Sequence, residues 1–117
     1  MSKNFKTVIA SEAWQSFGVI MGEQFYVYMM TNYNNTVLYI GVTNNIVRRV
    51  YEHRNKLIAS SFTTKYNLTK LVYYEIFNDA YSAINREKQL KGKKRNKKNE
   101  LVNALNSKWV DLYDEIV

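Results

Sequence analysis

The chain has 117 residues, no cysteine and a single histidine, His53, and 46% of its residues are hydrophobic. That length is one domain with a modest core, and the residue types missing exclude disulfides, thiol nucleophiles, Cys–zinc centres and any site built on two histidines. The net charge is +7, and no apolar run approaches the roughly 20 residues of a membrane span.

Residues 1–24 read as an N-terminal extension. Trp14, Phe17, Val19 and Ile20 could form a short amphipathic turn, and Met21 offers an alternative start. Lys3, Lys6 and Val8-Ile9-Ala10 hint at a signal peptide, but Glu12 and Gln15 interrupt the apolar stretch too early. A cytoplasmic protein is expected, with no membrane contact and no disulfide-linked partner.

Phe25 to Thr31 is rich in aromatic and β-favouring residues and predicts a strand. Asn32-Tyr33-Asn34-Asn35 is a turn cluster, and Thr36 to Val42 predicts a second strand, antiparallel to the first. Alternation puts Tyr26, Tyr28 and Met30 on one face, and Val37, Tyr39 and Gly41 on one face, so Tyr28 and Tyr39 can be cross-strand neighbours. Thr43, Asn44 and Asn45 supply helix caps. A helix over about Asn45 to Ile58 follows, with Ile46, Val50 and Leu57 as its apolar stripe. Arg49 and His53 lie four apart on that helix and share a face. A phenol, a guanidinium and an imidazole thus converge on one strand-to-helix corner.

Ser60 to Asn67 reads as a polar loop with a β-like tail. Lys70 to Phe77 predicts a third strand, returned to the hairpin's edge by a crossover. Asn78-Asp79 caps a helix over about Ala80 to Leu90, which Gly92 ends as a C′ glycine. Glu87 falls on that helix's apolar stripe with Ala83, Ile84 and Leu90. A carboxylate there needs compensation: an ion pair, Arg49 being one candidate, or a metal. A last helix, about Asn96 to Leu105, turns Leu101, Ala104 and Leu105 inward. Residues 106–117, with Trp109, Leu112, Tyr113 and Ile116, pack back on the domain.

The charge is concentrated. Arg86, Lys88, Lys91, Lys93, Lys94, Arg95, Lys97 and Lys98 face one acid, Glu87, so residues 86–98 carry the whole excess of +7. The remaining nine basic and nine acidic residues cancel. A patch of this kind between two helical segments is the electrostatic footprint of a polyanion. By charge alone DNA, RNA and anionic lipid remain open, as does a solvated loop.

In this order the motifs resemble the GIY-YIG nuclease superfamily, and most of all its small stand-alone bacterial members, the excinuclease C N-terminal-like or UPF0213-like proteins. The first motif stands as Tyr26-Val27-Tyr28, with Tyr in place of the usual Gly and Val in place of Ile. The second is intact as Tyr39-Ile40-Gly41, the Arg-x-x-x-His pair is Arg49 and His53, and the later acidic position falls on Glu87. The resemblance runs from about Phe25 to Leu90.

The resemblance implies an α+β fold, a three-stranded antiparallel sheet flanked by helices in the order β-β-α-β-α-α, over residues 25–105. It also implies Mg²⁺- or Mn²⁺-dependent phosphodiester hydrolysis on nucleic acid, DNA first, with DNA repair as the setting. In that scheme Tyr28 acts as general base or positions the water, and Tyr39 hydrogen-bonds the phosphate or a metal-bound water. Arg49 stabilises the developing charge, His53 orients or relays a proton, and Glu87 holds the metal. Gly41 permits a close backbone approach. Lys88, Lys91, Lys93, Lys94, Arg95, Lys97 and Lys98 would hold the nucleic acid. With no specificity domain, structure-specific or non-specific cutting is expected. The alternative is a binding module that keeps the fold without turnover.

Overall fold

The computed structural model describes residues 23–58 and 61–117. The expected extension up to residue 22, including Trp14, Phe17, Val19 and Ile20, lies outside the described residues.

Strand β1 (Phe25–Thr31) is the centre of the sheet, between β2 (Leu38–Thr43) and β3 (Lys70–Phe77), and both pairings are antiparallel. Every β1 residue but Tyr26 is buried. A strand covered on both faces reads as a near-continuous apolar run, as this one does. On one face Phe25, Val27, Met29 and Ile40 pack against α3 (Ala80–Lys91) through Ala80, Ala83 and Leu90, and against α4 (Arg95–Leu105) through Val102. On the other face Tyr28, Met30 and Leu71 pack against Ile46 and Val50 of α1 (Ile46–Arg54), with Leu68 beside them. A register shift after Met29 puts Val72 and Tyr73 on the same side in succession.

The β-β-α-β-α-α order is therefore present, with two short helices added. The first, α2 (Phe62–Lys65), replaces the expected β-like tail. Ser61 caps it by accepting from the Thr64 N–H at 3.1 Å, a local bond that outweighs the β preference of two threonines. The second, α5 (Tyr113–Ile116), follows a chain segment laid along the outer edge of β3. There Leu112 N–H donates to Leu71 C=O at 2.7 Å, and Leu71 N–H donates to Asp111 at 3.2 Å. That covers one sheet edge, and Leu112, Tyr113 and Ile116, partly buried, pack against the core cluster around Tyr28.

Two boundaries, one glycine and one helix face differ from expectation. Strand β2 starts at Leu38 because the Asn32 carboxamide accepts from the N–H groups of Thr36 and Val37, at 2.8 and 3.1 Å, holding both in the turn. Helix α1 stops at Arg54, where Lys56 takes a left-handed φ of 55° and donates to His53 C=O while Leu57 donates to Glu52 C=O. This is a Schellman end built on a lysine instead of a glycine, and it turns Leu57 out to solvent. Gly92 is the C-cap itself and right-handed at φ −79°, and α4 begins just after Lys94. In α4 the inward residues are Val102 and Leu101, while Ala104 and Leu105 are exposed.

Candidate active site

The corner between β2 and α1 gathers the predicted groups. Asn45 caps α1 by accepting from Arg48 N–H at 3.0 Å. The helix thereby starts directly after the strand and brings His53 back over the sheet. His53 is buried, and its Nε2 lies 2.9 Å from the Tyr28 hydroxyl. The Tyr28 ring crosses the strand pair over Gly41, its register partner. A Cβ at position 41 would sit 2.5 Å from the Tyr28 oxygen. Gly41 is required by a side chain, not by a backbone approach as expected. The Tyr39 ring lies 6.2 Å from that of Tyr28 and 5.7 Å, edge-on, from His53.

Thr63 completes the cluster and was not foreseen. It is buried, with Oγ1 2.8 Å from His53 Nδ1. The direction of this bond follows from the far end of the chain it belongs to. The Ile58 carbonyl can only accept, so Thr64 Oγ1–H donates to it at 2.8 Å. Ser61 Oγ–H donates to Thr64 Oγ1 at 3.1 Å. The Ser61–Thr63 contact at 3.0 Å then takes its proton from Thr63. Thr63 Oγ1, its own proton committed, accepts from His53 Nδ1–H. The imidazole is left with a lone pair on Nε2, which accepts from the Tyr28 hydroxyl. One backbone carbonyl thus sets the tautomer of the only histidine. The sequence signal was Ser61-Phe62-Thr63-Thr64, an N-cap followed by two hydroxyls.

Burial, with the nearby Arg49 charge second, pushes His53 down to about 4 from 6.5. The imidazole is therefore neutral at physiological pH. Arg49 is a quarter exposed and pairs with Glu52 at 3.3 Å. Tyr28 is 1% exposed, so the solvent side of the site belongs to Tyr39 and Arg49.

Glu87 is on the stripe as expected, its side chain 13% exposed, and its compensating cation is Lys91, one turn on at 2.6 Å. Lys91 also lines a groove of about 320 Å³ with Leu38, Tyr39, Ile40, Phe62 and Lys98. The groove links the aromatic corner to the basic segment, and Glu87 is tied to it through Lys91. Among the described residues no three His, Asp or Glu side chains cluster as a metal cage. A single carboxylate, Glu87, is what this region offers a divalent cation, which would need water and phosphate oxygens for the rest of its shell.

Two arginines of the basic segment are engaged by groups within the fold. Arg86 Nε and NH2 donate to Glu75 at 2.9 and 3.0 Å, and Tyr73 donates to the same carboxylate. Burial works against the Glu75 charge, but these bonds outweigh it and hold its carboxyl low, while burial pushes Tyr73 up to about 12. Arg95, expected to hold nucleic acid, donates to the carbonyls of Thr36 and Asn35 at 3.0 and 2.8 Å and staples α4 to the hairpin turn. A guanidinium fork suits two adjacent carbonyls, which an ammonium could not bridge as well. Lys88, Lys91, Lys93, Lys94, Lys97 and Lys98 remain as the surface charges, Lys97 near Glu100 at 3.7 Å.

A three-stranded antiparallel sheet with two tyrosines, an arginine and a histidine at one strand-to-helix corner defines a known nuclease class. The family model described as the GIY-YIG catalytic domain matches residues 24–100, and the chain belongs to the GIY-YIG family. It is similar to the small UPF0213 proteins. It is 33% identical to one of Clostridium perfringens over 78% of this chain and 96% of that one. It is 35% identical to one of Natronomonas pharaonis over 70% and 94%. The solution NMR structure of a UPF0213 protein from Bacillus halodurans aligns over 69% of this chain and 84% of that one, at 26% identity and a TM-score of 0.45. No helix among the described residues is long and apolar enough to cross a membrane.

Proposed function

We propose that this protein is a metal-dependent DNA endonuclease that hydrolyses phosphodiester bonds without sequence specificity or with preference for a DNA structure. The reading is carried by the convergence of Tyr28, Tyr39 and His53 beside Arg49, at the end of a groove that runs to lysines.

The phosphate approaches Tyr39 and Arg49, the partly exposed groups. Arg49 neutralises charge growing on the phosphoryl oxygens. Tyr39 hydrogen-bonds the phosphate or the attacking water. Of the two roles expected for Tyr28, its burial favours positioning over direct contact with water. Burial holds His53 well below the ordinary imidazole range, which makes it a poor acceptor for a full proton from a phenol. His53 is accordingly an acceptor that fixes the Tyr28 hydroxyl and the packing behind Tyr39. Glu87 is the residue that would hold a divalent cation, whose charge would favour attack on the phosphate.

The second reading, a binding module without turnover, draws on Lys91, which satisfies Glu87 with no metal. A nicking assay on branched, flapped and duplex DNA, with and without Mg²⁺, separates the two. Arg49→Ala should slow cleavage by roughly 10²-fold, about 3 kcal/mol. Glu87→Gln should abolish metal-dependent cleavage and leave DNA binding equal or slightly tighter. Its stability should change by less than about 1 kcal/mol, because Lys91 is half exposed and can be solvated once alone. Absence of cleavage by the wild type, with and without Mg²⁺, would leave the binding module standing.

A further inference from the structure

Phe62 has no part in the scheme above, yet it is the exposed aromatic nearest the site. Its ring is 47% exposed and stacks on Tyr39, with centroids 6.1 Å apart and planes 28° apart. Its other neighbour is Tyr66, 4.7 Å away and 40% exposed, with Lys65 Nζ 5.4 Å from the Tyr66 ring centroid. Three aromatic rings therefore run outward from the buried corner, with ammonium groups beside them. The groove between this row and α3–α4 has Phe62 and Tyr39 on one side and Lys91 and Lys98 on the other. Lys91 shares its charge with Glu87, which leaves Lys98 as the stronger anchor for a phosphate.

Tyr39, Phe62 and Tyr66 form one contiguous aromatic face open to solvent, and a contiguous patch, unlike a single exposed ring, marks an interaction site. The charge around them selects the occupant. Aromatic faces interleaved with lysines fit a strand whose bases are free to stack and whose backbone is anionic. A duplex offers its phosphates but keeps its bases stacked on each other, so it could use the lysines and not the ring.

We propose that the groove is a subsite for an unpaired nucleotide of single-stranded DNA, its base against Phe62 and its phosphate toward Lys98. The subsite adjoins Tyr39, so, resting on the nuclease reading, it would direct cleavage to the strand beside an unpaired nucleotide, as in a flap or single strand.

The test is binding in EDTA, where no cleavage occurs. Fluorescence anisotropy would compare an unstructured oligonucleotide of about twelve nucleotides with its duplex. Phe62→Leu should weaken single-strand binding by roughly tenfold and duplex binding by less than about twofold. Phe62→Trp should restore single-strand affinity, and its added emission should be quenched by the single strand. Equal losses on both DNAs, no loss on either, or an unquenched Phe62→Trp protein would overturn the subsite. Should Phe62→Leu fail to fold, the quenching of Phe62→Trp decides alone. Cleavage with Mg²⁺, measured separately, reports on the nuclease reading. Phe62-dependent binding without any cleavage would keep the subsite and discard the nuclease. Cleavage with Phe62-independent binding would do the reverse.

Discussion

Thr63→Val is the sharpest perturbation of the buried half of the site. Valine matches threonine in shape and removes only the hydroxyl, which is buried and bonded to His53 Nδ1 at 2.8 Å and to Ser61 Oγ at 3.0 Å. Two responses are open to the imidazole. It can keep its proton on Nδ1 and leave a buried N–H unsatisfied, which costs about 1–3 kcal/mol. Or it can move the proton to Nε2, where the ring becomes a donor to the Tyr28 oxygen and reverses the 2.9 Å bond. Either way the variant should lose about 1–3 kcal/mol of stability in urea unfolding. Displacement of Tyr28 and of the Tyr39 ring packed near it should slow cleavage by up to roughly 10²-fold. Thr63→Ser, which keeps the oxygen, should recover most of the rate. The assay that reads the mechanism directly is ¹⁵N NMR of the imidazole. Because the chain has one histidine, its two ring nitrogens are assigned without ambiguity. The wild type should carry its proton on Nδ1 and the Val variant should show that nitrogen shifted or deprotonated. A wild-type ring protonated on Nε2 would refute the hydrogen-bond direction derived from the Ile58 carbonyl.

Gly41→Ala sets a methyl against the Tyr28 phenol, 2.5 Å from its oxygen. It should destabilise by about 1–3 kcal/mol and impair cleavage together, since the ring must leave His53 to make room; a fully active Ala variant would show that Tyr28 is not held there. His53 makes stability depend on pH. Its folded value near 4 lies below the unfolded 6.5, so the unfolded state binds the proton first as pH falls. Stability is therefore full above about 6.5, declines by about 3 kcal/mol toward pH 4 and then levels off. Urea midpoints across that range should show this slope in the wild type and its loss in His53→Gln. Replacing Lys93, Lys94, Lys97 and Lys98 by Gln should flatten the dependence of log affinity on log salt for duplex DNA by roughly 3–4 without lowering the melting temperature. An unchanged slope would mean that the DNA lies elsewhere.

Much of the element order could be read along the chain, because it rests on local physics. Lys70–Phe77 and Phe25–Thr31 carry β-branched and aromatic runs, Asp79 caps its helix, and Asn32–Asn35 turns the hairpin. The candidate site was also legible, since Arg49 and His53 share a helix face by spacing alone and Tyr39-Ile40-Gly41 lies in the strand just before that helix. What the sequence could not supply were quantities set by groups far apart in the chain. Tyr28 and Gly41 meet only through strand register, and their contact explains the glycine. Thr63 meets His53 only in the assembled fold, so the tautomer was invisible from composition or period. Arg86 and Arg95 looked like part of a uniform basic run. Tertiary contacts with Glu75 and with the carbonyls of Asn35 and Thr36 set two arginines bonded within the fold apart from the lysines of that run. Glu87 was identified as a carboxylate needing a partner, but which cation answers it depended on side-chain placement in the folded helix, and it is Lys91. Local propensity and periodicity act over a turn or a strand, and determine elements. Polarity, burial and pairing at a site are properties of the assembled core.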